Sequence, residues 1–114
     1  MPLSEETVER NRLVGKRIAH QRKNLGMTQK QLADALGLPY YTFISQVETG
    51  QATLPPSLWQ KVASVLLMDP IDFSVQCLLV NEPEIYKQLF GKMKPSRVVA
   101  RLANLRETEE KKNP

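Results

Sequence analysis

The sequence predicts an all-α protein, in which a compact domain of five to six helices is followed by a C-terminal helical tail. Three observations support this fold class. Apolar residues recur every three to four positions along several segments, which is the spacing of one helix face. Residues that favour helix starts and helix ends separate these segments. No alternating apolar and polar pattern of the strand type extends beyond a few residues.

The first predicted helix follows Ser4, a residue type that caps helix N-termini well. Its apolar positions Val14, Ile18 and Leu25 recur at helical spacing. Gly26 then ends the helix, because glycine readily adopts the left-handed conformation that follows a helix C-terminus.

The next two predicted helices are short. Thr28 and Gln31 fit a capping box, in which each side chain bonds the backbone amide of the other, and Gly37 ends this helix after two turns. A third helix is predicted from Tyr40 to Thr49, and Gly50 stops it.

The remaining helices follow from proline and capping signals. The inner side of the fourth helix is predicted to contain Leu58, Trp59, Val62 and Leu66. Asp69 and Pro70 start a fifth helix, since proline fits the first helical turn. Asn81 is expected to start a sixth helix that ends near Gly91, and Ser96 to cap a tail helix. The predicted domain is therefore 4–91, and 92–114 is a linker with a partly disordered tail helix.

Charge is distributed unevenly along the chain. The 114 residues include 16 basic and 12 acidic residues, for a net charge of +4. The stretches 10–30 and 85–106 contain no acid, whereas the segment between residues 51 and 84 is mildly acidic. Two basic zones of this kind suggest a polyanion as the partner.

Several functional classes find no support. Cys77 is the only cysteine, which excludes an internal disulfide and a cysteine zinc cluster. No catalytic serine–histidine–acid set and no phosphate-binding glycine loop occurs, so neither an enzyme nor a cofactor is expected. The longest apolar run, Val62–Met68, is too short to span a membrane, and the N-terminus does not resemble a secretory signal. We therefore expect a cytoplasmic protein.

The segment from residue 28 to residue 50 has the outline of a helix-turn-helix, two helices joined by a short turn that contains glycine. Ala33 is small enough for a close helix crossing, and Leu38, Ile44 and Val47 are suited to the core. If these residues are buried, the third helix exposes the polar and aromatic side chains of Tyr40, Tyr41, Thr42, Ser45, Gln46 and Thr49. A ridge of this width fits the major groove of DNA.

The segment from about Gly15 to Pro70 resembles the lambda-repressor/Cro-like, or XRE-like, helix-turn-helix family. The resemblance rests on Arg22-Lys23-x-x-Gly26-Met27-Thr28-Gln29, Leu32-Ala33, Leu36-Gly37 and Ile44-Ser45-Gln46-Val47-Glu48-x-Gly50. It covers roughly half of the chain, and the combined pattern is specific. It implies a five-helix DNA-binding domain, usually dimeric, that acts as a transcriptional regulator.

The resemblance also implies roles for individual residues. Base contacts are expected from Tyr41, Thr42, Ser45 and Gln46. Phosphate contacts are expected from Arg22, Thr28, Gln29, Lys30, Tyr40 and Thr49. Arg22 would in addition form an ion pair with Glu48. One departure from the family pattern is an extra residue between Gly37 and Ile44, which leaves the register of Tyr40 and Tyr41 open.

The resulting prediction is a sequence-specific regulator of transcription, a repressor, that binds a palindromic operator in double-stranded DNA as a homodimer. The tail helix has an apolar line of Val98, Leu102 and Leu105, which either packs on the partner subunit or leaves the arginines of this helix to follow the DNA backbone. The alternative function is an antitoxin or an adaptor whose C-terminal part binds a partner protein.

Overall fold

The computed structural model describes residues 3–112, with side chains up to residue 109. In this part of the chain the structure contains helices and no strand, which confirms the all-α prediction. A 3-10 turn, Pro56–Leu58, precedes the fourth of seven α-helices. The helices are α1 (Glu5–Asn24), α2 (Gln29–Ala35), α3 (Thr42–Thr49), α4 (Trp59–Val65), α5 (Pro70–Asn81), α6 (Pro83–Phe90) and α7 (Pro95–Lys112).

Side-chain caps start three of the helices where the sequence predicts them. The Ser4 hydroxyl accepts a hydrogen bond from a backbone amide of the first turn of α1. Thr28 and Gln31 form both bonds of the capping box at the start of α2. The Asp69 carboxylate accepts a hydrogen bond from the Asp72 amide at the start of α5, ahead of the proline in its first turn. Each cap pairs a backbone amide that the helix itself leaves without a partner.

The turn before α3 is longer than predicted, because α3 begins at Thr42 and not at Tyr40. The Leu38 amide donates to the Ala33 carbonyl at 2.9 Å. Pro39 and the two tyrosines then lead into the helix without a side-chain cap. The turn therefore accommodates the extra residue of this sequence. Leu38 is half-buried against the core, whereas the sequence predicts it to be buried.

Two predicted helix starts in the C-terminal third are wrong. Asn81 does not cap α6; it is the last residue of α5, and its side-chain amide donates to the Leu54 carbonyl at 3.1 Å. The helix after it begins at Pro83. The last helix begins at Pro95, one residue before Ser96. In both cases proline occupies the first helical position, where its missing N–H costs nothing.

The main core joins α1 to α5. Its buried members include Val14, Ile18, Leu32, Ala33, Leu36, Ile44, Val47, Leu54, Val62, Ala63, Leu66, Phe73, Cys77 and Val80. Gly15 allows α1 to cross α3 at very short range: a Cβ atom at this position would lie 2.3 Å from the Val47 carbonyl oxygen. The core thus fixes α3 against α1 through backbone contact as well as through side chains.

A second, smaller cluster packs α6 and α7 against the other side of α5. It consists of the buried residues Val75, Tyr86 and Val98 and the half-buried Ile71, Leu78, Leu79, Phe90, Met93, Val99 and Leu102. The apolar line of α7 is therefore covered by α5 of the same chain, except for Leu105, which is exposed. This intrachain packing differs from the expectation that the line packs on a partner subunit.

Candidate nucleic-acid interface

Helix α3 presents a polar stripe to solvent. The stripe, which is exposed apart from the half-buried Ser45, consists of Thr42, Ser45, Gln46 and Thr49. Ile44 and Val47, on the opposite side of the helix, are buried. The 3.6-residue period of the helix thus separates an apolar inner face from a hydrogen-bonding outer face. The Thr49 hydroxyl is partly engaged, because it donates to the Ser45 carbonyl at 3.1 Å.

The C-terminal end of α3 is held by α1. Gly50 ends α3 in the left-handed conformation with φ of 86°, and a Cβ atom there would lie 2.5 Å from the Val8 carbonyl oxygen. The buried Asn11 side chain donates to the Gly50 carbonyl at 3.4 Å and to the Thr53 hydroxyl at 2.9 Å. These contacts fix the position of α3 on the domain.

An ion pair links the ends of α1 and α3. Arg22 Nε donates to Glu48 Oε2 at 2.8 Å, and Arg22 Nη2 donates to Glu48 Oε1 at 3.0 Å. Arg22 Nη1 donates to the Met27 carbonyl at 2.8 Å. Only 9% of the Arg22 side chain and 7% of the Glu48 side chain are exposed. The guanidinium therefore has protein partners on each of its three nitrogens.

The electrostatics of this pair favour its charged form. The hydrogen bonds with Glu48 raise the pKa of Arg22, against the opposing effect of burial. An arginine bound in this way stays protonated. The geometry assigns Arg22 to the ion pair, and the phosphate contact expected for Arg22 stays a prediction, since that contact would compete with Glu48 and Met27.

Gln29 extends the ion pair toward α2. Its side-chain amide donates to Glu48 Oε1 at 3.1 Å. The carboxylate of Glu48 therefore joins three helices, through Arg22 of α1, Gln29 of α2 and its own position on α3. Gln29 is half-buried, so its predicted contact with a phosphate would have to use its exposed part.

A shallow concavity lies between the start of α2 and the start of α3. Its volume is about 430 Å³, and it is lined by Arg22, Thr28, Gln29, Lys30 and Tyr41. The structure thus brings together four of the residues predicted to contact phosphate. Lys30 is exposed and forms no ion pair with any described residue. This leaves its charge available to a ligand.

The two tyrosines before α3 differ in their surroundings. Tyr41 is 52% exposed and lines the concavity beside α2, whereas Tyr40 is 73% exposed. The sequence predicts a base contact for Tyr41 and a phosphate contact for Tyr40. Both contacts stay predictions, and the structure adds that Tyr41 lies beside Gln29 and Lys30.

Sequence reasoning missed Asn11 and Gly15. Both are buried where α1 meets α3. One signal was available, because positions 11, 14, 15, 18 and 22 follow the helical period of the buried face of α1. A polar residue and a glycine on such a face indicate a buried hydrogen bond and a close backbone approach.

A metal site and a membrane span are both absent from the described residues. Within residues 3–112 no three His, Cys, Asp or Glu side chains are grouped so that they could hold a metal ion. None of the helices in that range combines the length and the hydropathy needed to cross a bilayer. Cys77 is buried, and burial raises the pKa of its thiol to about 12.

Comparison with known families agrees with this geometry. Residues 18–73, from the middle of α1 to the first turns of α5, match a family model described as Helix-turn-helix. The protein is therefore of the helix-turn-helix class. This segment is a helix-turn-helix domain of the lambda-repressor/Cro-like (XRE-like) type, which supports a DNA-binding transcription regulator. Searches of curated proteins and of solved structures gave no match.

Proposed function

We propose that the protein is a repressor that binds a palindromic operator in duplex DNA as a homodimer, with α3 in the major groove. The observation that carries the proposal is the exposed stripe of α3 on a helix whose other face is locked into the core. A rigid helix that presents amide and hydroxyl groups is suited to reading base edges.

We assign the preference for particular DNA bases to Gln46, in the middle of the polar stripe of α3. Gln46 is exposed in the middle of α3, and a glutamine amide can bond an adenine through two hydrogen bonds. Thr42, one helical turn before it, and Ser45 beside it supply hydroxyl groups for neighbouring bases. The Gln46 contact would contribute about 1–3 kcal/mol of discrimination between bases.

We assign most of the affinity for DNA to phosphate contacts from groups around the concavity at the start of α2. Lys30 supplies an exposed positive charge, and Tyr41 supplies a hydroxyl group beside it. The amide groups of Gln29 and the Thr49 hydroxyl would contact the backbone at the two ends of the helix-turn-helix. Contacts with phosphate fix the register of a protein on DNA and carry little sequence information.

The test is selection of bound duplexes from a random pool, followed by footprinting of the selected site. The proposal predicts two half-sites related by a two-fold axis, with centres ~34 Å apart or a multiple of it. Gln46→Ala should relax the base preference at one position in each half-site. Gln60→Ala, at an exposed glutamine of α4, is the matched control and should leave the preference unchanged.

The same experiment separates the proposal from its alternative. An adaptor that binds only protein would select no duplex, and Gln46→Ala would leave its function unchanged. An antitoxin would behave like the repressor on DNA and would in addition hold a partner protein through its C-terminal part. A single half-site without a two-fold copy would contradict the proposed homodimer.

A further inference from the structure

The outer side of α6 carries an apolar pair that no described residue covers. Ile85 is 45% exposed and Leu89 is 64% exposed, although both are large aliphatic residues. They lie one helical turn apart, so their side chains are neighbours on one face. Among the exposed large hydrophobic residues of the described chain, no other two have this spacing.

The inner side of α6 fixes this orientation. Tyr86 is buried, and its hydroxyl donates to the Met93 carbonyl at 2.7 Å. The rings of Tyr86 and Phe90 meet edge to face with centroids 5.3 Å apart. Since the inner face is anchored by these contacts, the helix cannot rotate to bury Ile85 and Leu89 without breaking them.

Opposite charges flank the two ends of α6. Glu82 immediately precedes α6, and Lys92 follows it after one glycine. Both side chains are exposed, and neither forms an ion pair with a described residue. Glu82 thus stands at the N-terminal end of the helix that carries Ile85 and Leu89, and Lys92 lies just beyond its C-terminal end.

This arrangement is complementary to itself. If a second α6 lies antiparallel to the first, Ile85 of one copy faces Leu89 of the other, and the end that begins at Glu82 adjoins the end that is followed by Lys92. Both pairings are centred on position 87, so a single two-fold axis satisfies them together. A two-fold interface requires such a self-complementary patch.

We propose that α6 forms the contact between two copies of this chain, through antiparallel pairing of the face that carries Ile85 and Leu89, with Glu82 and Lys92 at its two ends. The assignment rests on the homodimer proposed above and names the surface that makes it. The acidic start and the basic end of the face select a second copy in the antiparallel orientation, because a parallel pair would place like charges opposite each other.

The contact is small. Two aliphatic side chains from each copy fall well short of the ~800 Å² per partner that a stable interface buries. We therefore expect weak, concentration-dependent association in free solution. An operator with two half-sites raises the effective concentration of one copy beside the other, so the contact appears there as cooperative binding.

The first experiment compares the full chain with Leu89→Asp, by sedimentation equilibrium and by titration of duplexes that contain one or two copies of the selected half-site. Leu89→Asp should abolish self-association and reduce cooperative binding to the double site at least tenfold. Its affinity for a single half-site should not change. Leu13→Asp, at a leucine of α1 that is 58% exposed, is the matched control and should behave as the unmodified chain does.

The outcomes separate this inference from the proposed function. Cooperative binding that survives Leu89→Asp would overturn the α6 contact and leave the DNA-binding proposal intact. Self-association that Leu89→Asp abolishes, in a chain that selects no duplex, would support the contact and overturn the DNA-binding proposal. An unmodified chain that stays monomeric both at high concentration and on the double site would overturn the contact.

A second experiment tests orientation. Under mild oxidation, a mixture of Ile85→Cys and Leu89→Cys chains should form a mixed disulfide faster than either variant forms a disulfide with itself. Cys77 is buried and should not compete. Faster self-linking of Ile85→Cys would indicate a parallel pair and overturn the proposed geometry. The variants Glu82→Lys and Lys92→Glu should each weaken association several-fold, and the two changes in one chain should restore it.

Discussion

The Arg22 guanidinium and the Glu48 carboxylate form a two-bond ion pair that is almost closed to solvent and ties the end of α1 to the end of α3. Glu48→Ala should therefore lower the free energy of unfolding by about 3–5 kcal/mol, because it leaves a buried guanidinium without its counter-charge. Urea titration measures this change.

The control for this prediction removes both charges. The double variant Arg22→Met/Glu48→Leu should lose much less stability than Glu48→Ala, since no unpaired charge remains in the protein. Equal losses in the two variants would show that the loss comes from packing and not from an uncompensated charge.

Gly15→Ala should destabilise the domain and displace α3. The added methyl group would lie 2.3 Å from one backbone oxygen and 2.6 Å from another, both in α3. Backbone atoms at that distance cannot move aside without shifting the helix. We expect a loss of about 1–3 kcal/mol together with weaker DNA binding. An unchanged free energy of unfolding in Gly15→Ala would show that α1 and α3 do not approach this closely.

Lys30→Ala should reduce the salt dependence of DNA binding. Each phosphate neutralised by a basic side chain contributes ~0.9 to the slope of log K against log salt, so the slope should fall by about that amount. Lys16→Ala removes the same charge from an exposed position of α1 and should leave the slope nearly unchanged. Identical slopes for the two variants would show that Lys30 does not contact a phosphate.

The stability of the protein should decline in alkaline solution partly through Cys77. Burial raises the pKa of this thiol to about 12 from an ordinary value of 9.0. As the pH rises above 9, the unfolded chain releases the proton and the folded chain keeps it, so the free energy of unfolding falls by up to ~1.4 kcal/mol per pH unit from this group. Below pH 9 the contribution is fully present.

Comparison with Cys77→Val isolates the thiol from other groups that titrate in the same range, such as Tyr86, whose pKa is also raised by burial. Urea titrations between pH 8 and pH 10.5 should show a steeper decline for the unmodified chain than for the variant. Parallel curves would mean that Cys77 ionises equally easily in the folded and unfolded chains.

Val98→Asp tests whether α7 is part of the folded domain. Val98 is fully buried against α5, and a carboxylate there has no partner, so we expect a loss of several kcal/mol. Ala100→Asp changes an exposed position of the same helix and should have little effect. If neither substitution lowers the free energy of unfolding, α7 is not packed on the folded domain.

The helix-turn-helix was predictable because its signals are local. The capping box of Thr28 and Gln31, the caps Ser4 and Asp69 and the apolar spacing of Ile44 and Val47 all act within a few residues of each other along the chain. The structure confirms these elements, and the period of α3 then determines which side chains are exposed.

Contacts between distant segments were harder to predict. The bond from Asn11 to Thr53 joins residues far apart in the sequence, and no local pattern indicates it. Asn81 looked like a helix cap, yet its amide bonds the Leu54 carbonyl, a partner visible only in the folded chain. The packing of Val98 on α5 was missed for the same reason, since an amphipathic helix does not identify the surface that covers it.

Helix α5 has consequences for any attempt to excise the regulator as a smaller fragment. It supplies Phe73, Cys77 and Val80 to one core and Val75 to the other. A fragment cut at the ends of the family match would therefore lack about two thirds of α1 and most of α5, and the apolar surface that they cover would be exposed to water. A fragment intended for crystallography or binding assays should therefore retain α1 through α7, well beyond the segment that matches the family.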